Sequence, residues 1–331
     1  MTPRAMILAA GYGTRLGELG RTRPKPMLPV VGAPLVKWAV LFLRHHGIRE
    51  IAINLHHLGE QIEAELGDGS ALGVAIAYSR EHGQILGTGG GLRHARALID
   101  DGHDSPIVVM NAKLLVDLDL HAVLAQHIRN GAEATMVVRE DPDAEKWGSQ
   151  QLAADDRMVR LLGRTPVADV PPPVTKPTMF TGIHVIQPRL IDRVPPEGEQ
   201  CVIRTAYRQL FDEGAGLYGF LTDRYWWEHS TIERYLQGVT NALDGRVPLP
   251  YAPAFVRGVS ASAAIDARAT IVDPVWIGDG VRVEAGARVG PHVQLEPGVV
   301  VGAGATVARS VVWSGRVEGD IEGRVVTGEP P

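Results

Sequence analysis

The stretch Ala5-Met6-Ile7-Leu8-Ala9-Ala10-Gly11-Tyr12-Gly13-Thr14-Arg15-Leu16 sets the fold of the first part of the chain. Residues 5–10 are an unbroken apolar or small run, which predicts a strand buried on both faces. Gly11 and Gly13 then predict a turn whose backbone N–H groups can approach a phosphate with no Cβ in the way. A dinucleotide fingerprint fits poorly. It needs a third glycine where Leu16 stands, and the second strand ends in Asn54, with no acid for a ribose hydroxyl. Outward from this loop the pattern repeats. Residues 35–47 predict a helix closed by glycine, 50–54 a strand, 59–66 a helix, 74–78 a strand, 89–99 a helix and 107–110 a strand. Strands alternating with helices predict an α/β fold, a Rossmann-like mostly parallel sheet, with its active site at the carboxyl ends of the strands.

The texture changes after residue 245. The proline-rich segment 246–258 predicts a linker between a first domain, 1–245, and a second, 259–331. In the second, Val259, Ile265, Ile271, Ile277, Val283, Val289, Leu295, Val301 and Val307 recur every sixth residue. Small or β-branched residues follow four positions later: Ala263, Ala269, Val275, Val281, Ala287, Val293, Val299, Ala305 and Val311. A helix needs a period near 3.6, so this hexad predicts a left-handed parallel β-helix, one flat side per hexad. Its simplest use is a stacked core for stability or for assembly into a homo-oligomer.

Composition narrows the class further. The chain has 331 residues, 45% of them hydrophobic, and a formal net charge of -5. That charge gives no reason to expect nucleic-acid binding. One cysteine, Cys201, cannot form an internal disulfide, which fits a cytoplasmic protein. The early apolar run 5–10 is too short for a secretory signal, and no stretch approaches the ~20 apolar residues of a membrane span.

Arg15 lies inside the glycine loop, and Pro24-Lys25-Pro26-Met27-Leu28-Pro29 follows. Prolines on both sides of Lys25 fix the backbone and aim one long cation. Two cations converging on a triphosphate suit nucleotidyl transfer, where charge builds on the attacking and leaving oxygens.

With these two loops, and with Ile53-Asn54-Leu55-His56-His57-Leu58-Gly59-Glu60-Gln61-Ile62, Gly67-Asp68-Gly69-Ser70, Leu86-Gly87-Thr88-Gly89-Gly90-Gly91 and Phe180-Thr181-Gly182-Ile183-His184-Val185, the chain resembles the sugar-1-phosphate nucleotidyltransferase (NDP-sugar pyrophosphorylase) family. The likeness fades between residues 140 and 176. The trailing β-helix resembles that of mannose-1-phosphate guanylyltransferases. The middle of the first domain is more similar to N-acetylmuramate-1-phosphate uridylyltransferases.

The resemblance implies an enzyme that transfers a nucleotidyl group from an NTP to a sugar-1-phosphate, guanylyl or uridylyl, with Mg2+ as cofactor. It implies that Leu8, Gly11 and Gly13 line the nucleotide. Gly87, Thr88 and Gly89 form the base and ribose wall, and Glu81 or Gln84 contacts the base. Arg15 binds the triphosphate, Lys25 holds the α-phosphate, and Thr181 and Gly182 touch the sugar. Arg164 stands as a candidate reader of the sugar phosphate.

One departure matters. The family carries Gly-Asp after Asn at the end of a strand, and that Asp holds the magnesium. Here the run is Asn111-Ala112-Lys113. The second family aspartate has become Glu228, which can still ligate a metal. Three readings follow. Lys113 replaces one magnesium charge as a catalytic cation while Glu228 recruits a nucleotide-borne metal. Or the domain is a catalytically impaired, nucleotide-sugar-binding regulatory subunit. Or Asp117 or Asp119 ligates instead, against their simpler role at the start of a helix over 120–130. Elsewhere plain readings prevail. His45-His46 and His56-His57 are solvated loop pairs, Lys146-Trp147-Gly148 is a turn or a sugar-site loop, Trp226-Trp227 is packing or a sugar platform, and Cys201 is a structural thiol.

Overall fold

The strand Arg4–Leu8 runs through the middle of a nine-stranded sheet. In the computed structural model, which describes residues 3–165, 171–214, 216–252 and 254–328, it pairs in parallel with Glu50–Leu55 on one side and Ile107–Asn111 on the other. Ala75–Arg80 extends the parallel part beyond Glu50–Leu55. Thr178–Ile186 joins antiparallel to Ile107–Asn111, and Ala134–Glu140 joins antiparallel to Thr178–Ile186. Leu217–Leu221 closes in parallel against Ala134–Glu140. The near-continuous apolar strands are what burial on both faces requires. Met6, Val109, Met136, Ile186, Leu210 and Phe211 belong to one buried cluster. Leu8, the last residue of its strand, lies opposite both Asn54 and Asn111. Three strand ends are thereby set side by side at the carboxyl edge.

Two helices start on a side-chain cap. Asp119 accepts a bond from the Ala122 N–H (3.0 Å) and opens the helix Leu120–Arg129. Thr231 accepts from the Arg234 N–H (3.2 Å) and opens Ile232–Leu243, which buries Tyr235, Gly238, Val239 and Ala242.

The hexad forms three stacked parallel sheets of five, four and four strands. Gly258 pairs with Trp276 and Trp276 with Gln294, so one coil consumes three hexads. Val275, Ile277, Val281, Val283, Ala287, Val289, Val293, Leu295, Val299, Val301, Ala305 and Val307 share one buried core. Two positions depart from the expected inward set. Val259, on the first coil, is 42% exposed, because no earlier coil stacks on it. Val311 pairs with the outward Gln294, while Val312 pairs with Leu295 and joins the core. The coil has lost a residue before this point, so the inward slot moves by one.

The compact units do not divide at residue 245. One comprises Met1–Tyr12, Ala39–Ala112 and Leu118–Trp226 and carries the sheet. The other comprises Gly13–Trp38, Lys113–Asp117 and Trp227–Pro331 and carries the β-helix. Most of the segment expected as a linker lies within this second unit; Pro253 in that segment lies outside the described residues.

Candidate active site

In the sheet unit, the loop after the first strand is tied down by side chains from the neighbouring strand ends. The Ala9 N–H donates to Asn54 Oδ1 (2.8 Å), and Asn54 Nδ2 donates to Glu81 Oε1 (2.7 Å). The Leu86 N–H donates to Glu81 Oε2 (2.8 Å). Glu81 is only 4% exposed, and both its oxygens accept bonds from the protein. It is therefore a strut between the Asn54 strand and the Leu86 turn. Gln84, the other candidate base contact, is exposed. His56 joins the same framework, with Nδ1 2.9 Å from the Glu81 carbonyl and Nε2 3.0 Å from the Tyr12 hydroxyl. The pair read as solvated thus contributes one histidine that anchors the glycine loop.

The Gly87–His94 helix begins on a glycine for a steric reason. Gly87 has φ +70°, and a Cβ there would stand 2.6 Å from the Gln200 carbonyl oxygen. The Gly89 N–H donates to that same oxygen (2.7 Å), and Thr88 Oγ1 accepts from the Val202 N–H (3.1 Å). Backbone lies on backbone, so the wall is smooth and tolerates no side chain at these glycines. Gly91 repeats the theme against Asn54 and Glu81.

Gly182 has φ +82°, and a Cβ there would strike the Asn111 amide. It sits where the pairing of Thr178–Ile186 with Ala134–Glu140 shifts register, between Phe180 and His184. Thr181 points the other way. It is 2% exposed and donates to the Val137 carbonyl (2.8 Å), and its own carbonyl accepts from Trp226 Nε1 (2.8 Å). Its hydroxyl proton is committed to the sheet, while Gly182, in mid-strand, faces Asn111 at the end of the neighbouring strand.

The cations come together in the β-helix unit. Lys113 Nζ donates to Glu228 Oε1 (3.0 Å), and Arg15 Nη2 lies 3.9 Å from the same oxygen. Lys25 sits in a 3-10 turn, Lys25–Met27, and is 8% exposed. Burial, then repulsion from Lys113 and Arg15, lower its pKa to about 8, against the opposing pull of Glu228. The Glu228 carboxyl, despite burial, is held below its ordinary range by Lys113, Ser230 and Arg15. The strand Trp226–Glu228 pairs with Leu114–Val116, which brings the residues just beside the two strands, Lys113 and His229, together next to Glu228. His229 donates its backbone N–H to the Lys113 carbonyl (3.1 Å), with Nδ1 3.2 Å from that oxygen. Arg234 donates from Nε to the Glu228 carbonyl (2.9 Å) and lies 4.2 Å over the Trp227 ring. Three cations around one carboxylate leave an excess of positive charge, the charge a polyphosphate would meet.

Comparison with known proteins now decides the family. The Nucleotidyl transferase family model matches residues 4–244, and the bacterial transferase hexapeptide model matches 274–309. The chain belongs to the nucleotidyl transferase family. It is 30% identical over 94% of its length, and 82% of the relative's, to a UTP–glucose-1-phosphate uridylyltransferase of Synechocystis sp.. It is 30% identical over 92% of its length, and 83% of the relative's, to a mannose-1-phosphate guanylyltransferase of Mycobacterium tuberculosis. Over 55% of its length it is 38% identical to an N-acetylmuramate alpha-1-phosphate uridylyltransferase of Neisseria meningitidis, spanning 78% of that protein. These relatives are sugar-1-phosphate nucleotidyltransferases, and members of the family are enzymes. None of them carries a regulatory name, and the regulatory alternative has no support.

The residues of this nucleotidyltransferase domain do not fit a protein-held magnesium. Glu228 is the expected ligand, but its Oε1 is occupied by the Lys113 ammonium, with Arg15 beside it. Among the described residues no group of three or more His, Cys, Asp or Glu side chains could hold a metal. Asp119 caps a helix through Oδ1, the simpler of the roles expected for it. Arg164 lines a cavity of about 220 Å³ with Arg204, Arg208, Leu161, Leu162 and Phe211. Thr181 and Gly182 do not line it. Among the described residues no helix is long and apolar enough to cross a membrane.

Sequence reading missed Asn111, His56, His229 and Arg234. The two asparagines at paired strand ends were the available signal for the first. The other three act through partners that spacing alone does not disclose.

Proposed function

We propose that the protein joins a nucleoside monophosphate to a sugar-1-phosphate, and that Arg15, Lys25 and Lys113 together supply the positive charge the reaction needs. The observation that carries this is the cation cluster gathered on Glu228, with Lys25 buried at its edge. On this reading an oxygen of the sugar phosphate attacks the α-phosphorus of the NTP in line. The bond from that phosphorus to the bridging oxygen breaks, and pyrophosphate leaves with the electron pair. No covalent enzyme intermediate is needed, so the protein aligns groups and offsets charge. Arg15 would face the leaving pyrophosphate, Lys25 the α-phosphate, and Lys113 the charge that a metal-binding aspartate would otherwise manage. Leu8, Gly11, Gly13 and the Gly87–Gly89 wall would take the nucleotide, with Gln84 at the base and Gly182 at the sugar. The names of the relatives support guanylyl or uridylyl transfer. The half-buried Ile265 and Ile271 and the exposed Val259 of the first coil support association of copies through the β-helix. The lone cysteine and the use of an NTP support a cytoplasmic location.

The test is direct. The purified chain is incubated with GTP, UTP, dTTP, ATP or CTP and a panel of sugar-1-phosphates with magnesium, and pyrophosphate release is measured. Turnover with GTP or UTP is expected. Release with no pair of substrates would overturn the reading.

A further inference from the structure

The outward side of the β-helix holds a polar residue that stacking does not explain. In the strand Val293–Leu295, Val293 and Leu295 point into the core, and Gln294 points out. An outward glutamine on a solenoid is ordinarily solvated, yet Gln294 is fully buried. A buried amide must be paired, and its partners identify what it is for. Its Oε1 accepts from the Val31 N–H (2.8 Å). Its Nε2 donates to the Pro29 carbonyl (3.0 Å) and to Glu296 Oε1 (2.7 Å). The Pro29 carbonyl also accepts from the Tyr235 hydroxyl (2.6 Å).

Pro29 and Val31 lie just downstream of Lys25, and the intervening chain is stiff. Lys25 is flanked by Pro24 and Pro26, the Met27 N–H donates to the Pro24 carbonyl (2.8 Å), and the Leu28 N–H donates to the Lys25 carbonyl (3.1 Å). The coils on either side of Gln294 hold the same segment. Trp276, its register partner, packs against Gly32, where a Cβ would come within 2.8 Å of the ring. Trp313 donates from Nε1 to the Tyr235 hydroxyl (3.0 Å), and the Arg23 guanidinium lies 4.6 Å over its ring. Successive coils thus grip the chain at Arg23, Pro29, Val31 and Gly32, with Lys25 between the grips. Hydrophobic stacking would be served better by an aliphatic residue at 294. The amide fits only the backbone N–H and C=O it meets.

We propose that Gln294 is a positioning residue that fixes where Lys25 stands, so that the β-helix forms part of the catalytic apparatus. The proposal rests on the reading of Lys25 as a phosphate-binding cation only for its effect on turnover; the position of Lys25 is measurable without it. Full-length wild type and Gln294→Met are acetylated at trace level across a pH series. Labelling of Lys25 is read by mass spectrometry, with exposed Lys146 as internal reference. In the wild type, Lys25 labels with a midpoint near 8. In Gln294→Met the midpoint moves up toward the ordinary 10.5, so labelling near pH 8 falls, while Lys146 is unchanged. Gln294→Glu keeps the acceptor for Val31 and drops the donor to Pro29, and it gives the same shift should the methionine variant be insoluble. An unchanged Lys25 profile in the soluble variant overturns the proposal, whatever the activity. A shifted profile accompanied by lower kcat/KM supports it. A shifted profile in a protein that releases no pyrophosphate sinks the reading of the reaction and leaves the positioning role supported.

Discussion

The glycine wall and the cation cluster reach comparable precision by opposite means. In the sheet unit, Gly87, Gly89 and Gly182 matter for what they lack, and each is fixed by a carbonyl, a backbone N–H or an amide directly behind it. In the β-helix unit, Arg15, Lys25, Lys113 and Glu228 matter for what they carry, and they come from four separate parts of the chain. A surface built from absent side chains is local and holds its shape with its strand ends. A surface built from long cations is only as precise as the scaffold behind it. Here that scaffold is a stacked solenoid.

The comparison can be broken at its strongest point first. Ile277→Asp places a carboxylate in the sealed β-helix core, where Ile277 is fully buried, and should destabilise the unit by several kcal/mol. Arg282→Asp, at an exposed outward position of the same coil, should stay within about 0.5 kcal/mol. Denaturant midpoints decide it. Equal losses would mean the coils do not carry the unit.

Next in size are the cations. Lys25→Ala and Arg15→Ala should each cost ~1.5–3 kcal/mol in nucleotide binding or turnover, the scale of one charge-assisted phosphate contact. Lys113→Ala should also slow turnover, and Lys113→Asp should make pyrophosphate release depend more steeply on magnesium than in the wild type. Calorimetry and a magnesium titration provide the readout. A turnover indifferent to both changes at 113 would remove Lys113 from the chemistry.

The smallest effect sharpens the contrast through pH. Lys25 carries a pKa lowered to about 8, so its ammonium is present below that value and is lost as pH rises through it. The bound triphosphate favours the charged form. Nucleotide affinity should therefore fall above about pH 8, and binding near that pH should take up a proton. Lys25→Arg should flatten the profile, because a guanidinium stays charged. A pH-independent affinity in the wild type would show that Lys25 does not meet the phosphates.

How much of this was legible in sequence depends on range. The period of six and the strand–loop alternation are local patterns, and both the sheet and the β-helix follow them. The shift at Val311 escaped because one missing residue leaves the aliphatic pattern superficially intact. The expected boundary at 245 differs from the compact units, because segments 13–38 and 113–117 pack with residues far along the chain. Glu81 and Thr181 sit at motif positions, yet their side chains are consumed by the framework, a fact of hydrogen bonding that spacing does not encode. Gln294 was invisible because outward hexad positions are free to vary on a solenoid unless something docks there.

The coil register of Gln294 also constrains how this chain could have grown. A solenoid normally lengthens by duplication, one coil at a time, with each copy indifferent to its place in the stack. Here the stack is indexed. A coil appended after Val326 leaves every grip on segment 23–32 in place. A coil inserted between Trp276 and Gln294 would carry the amide about 4.8 Å from Pro29 and Val31, one strand spacing and well beyond hydrogen-bond reach. The repeat can change its length only outside the coils that carry Trp276, Gln294 and Trp313, and the chain's history of coil number should be written there.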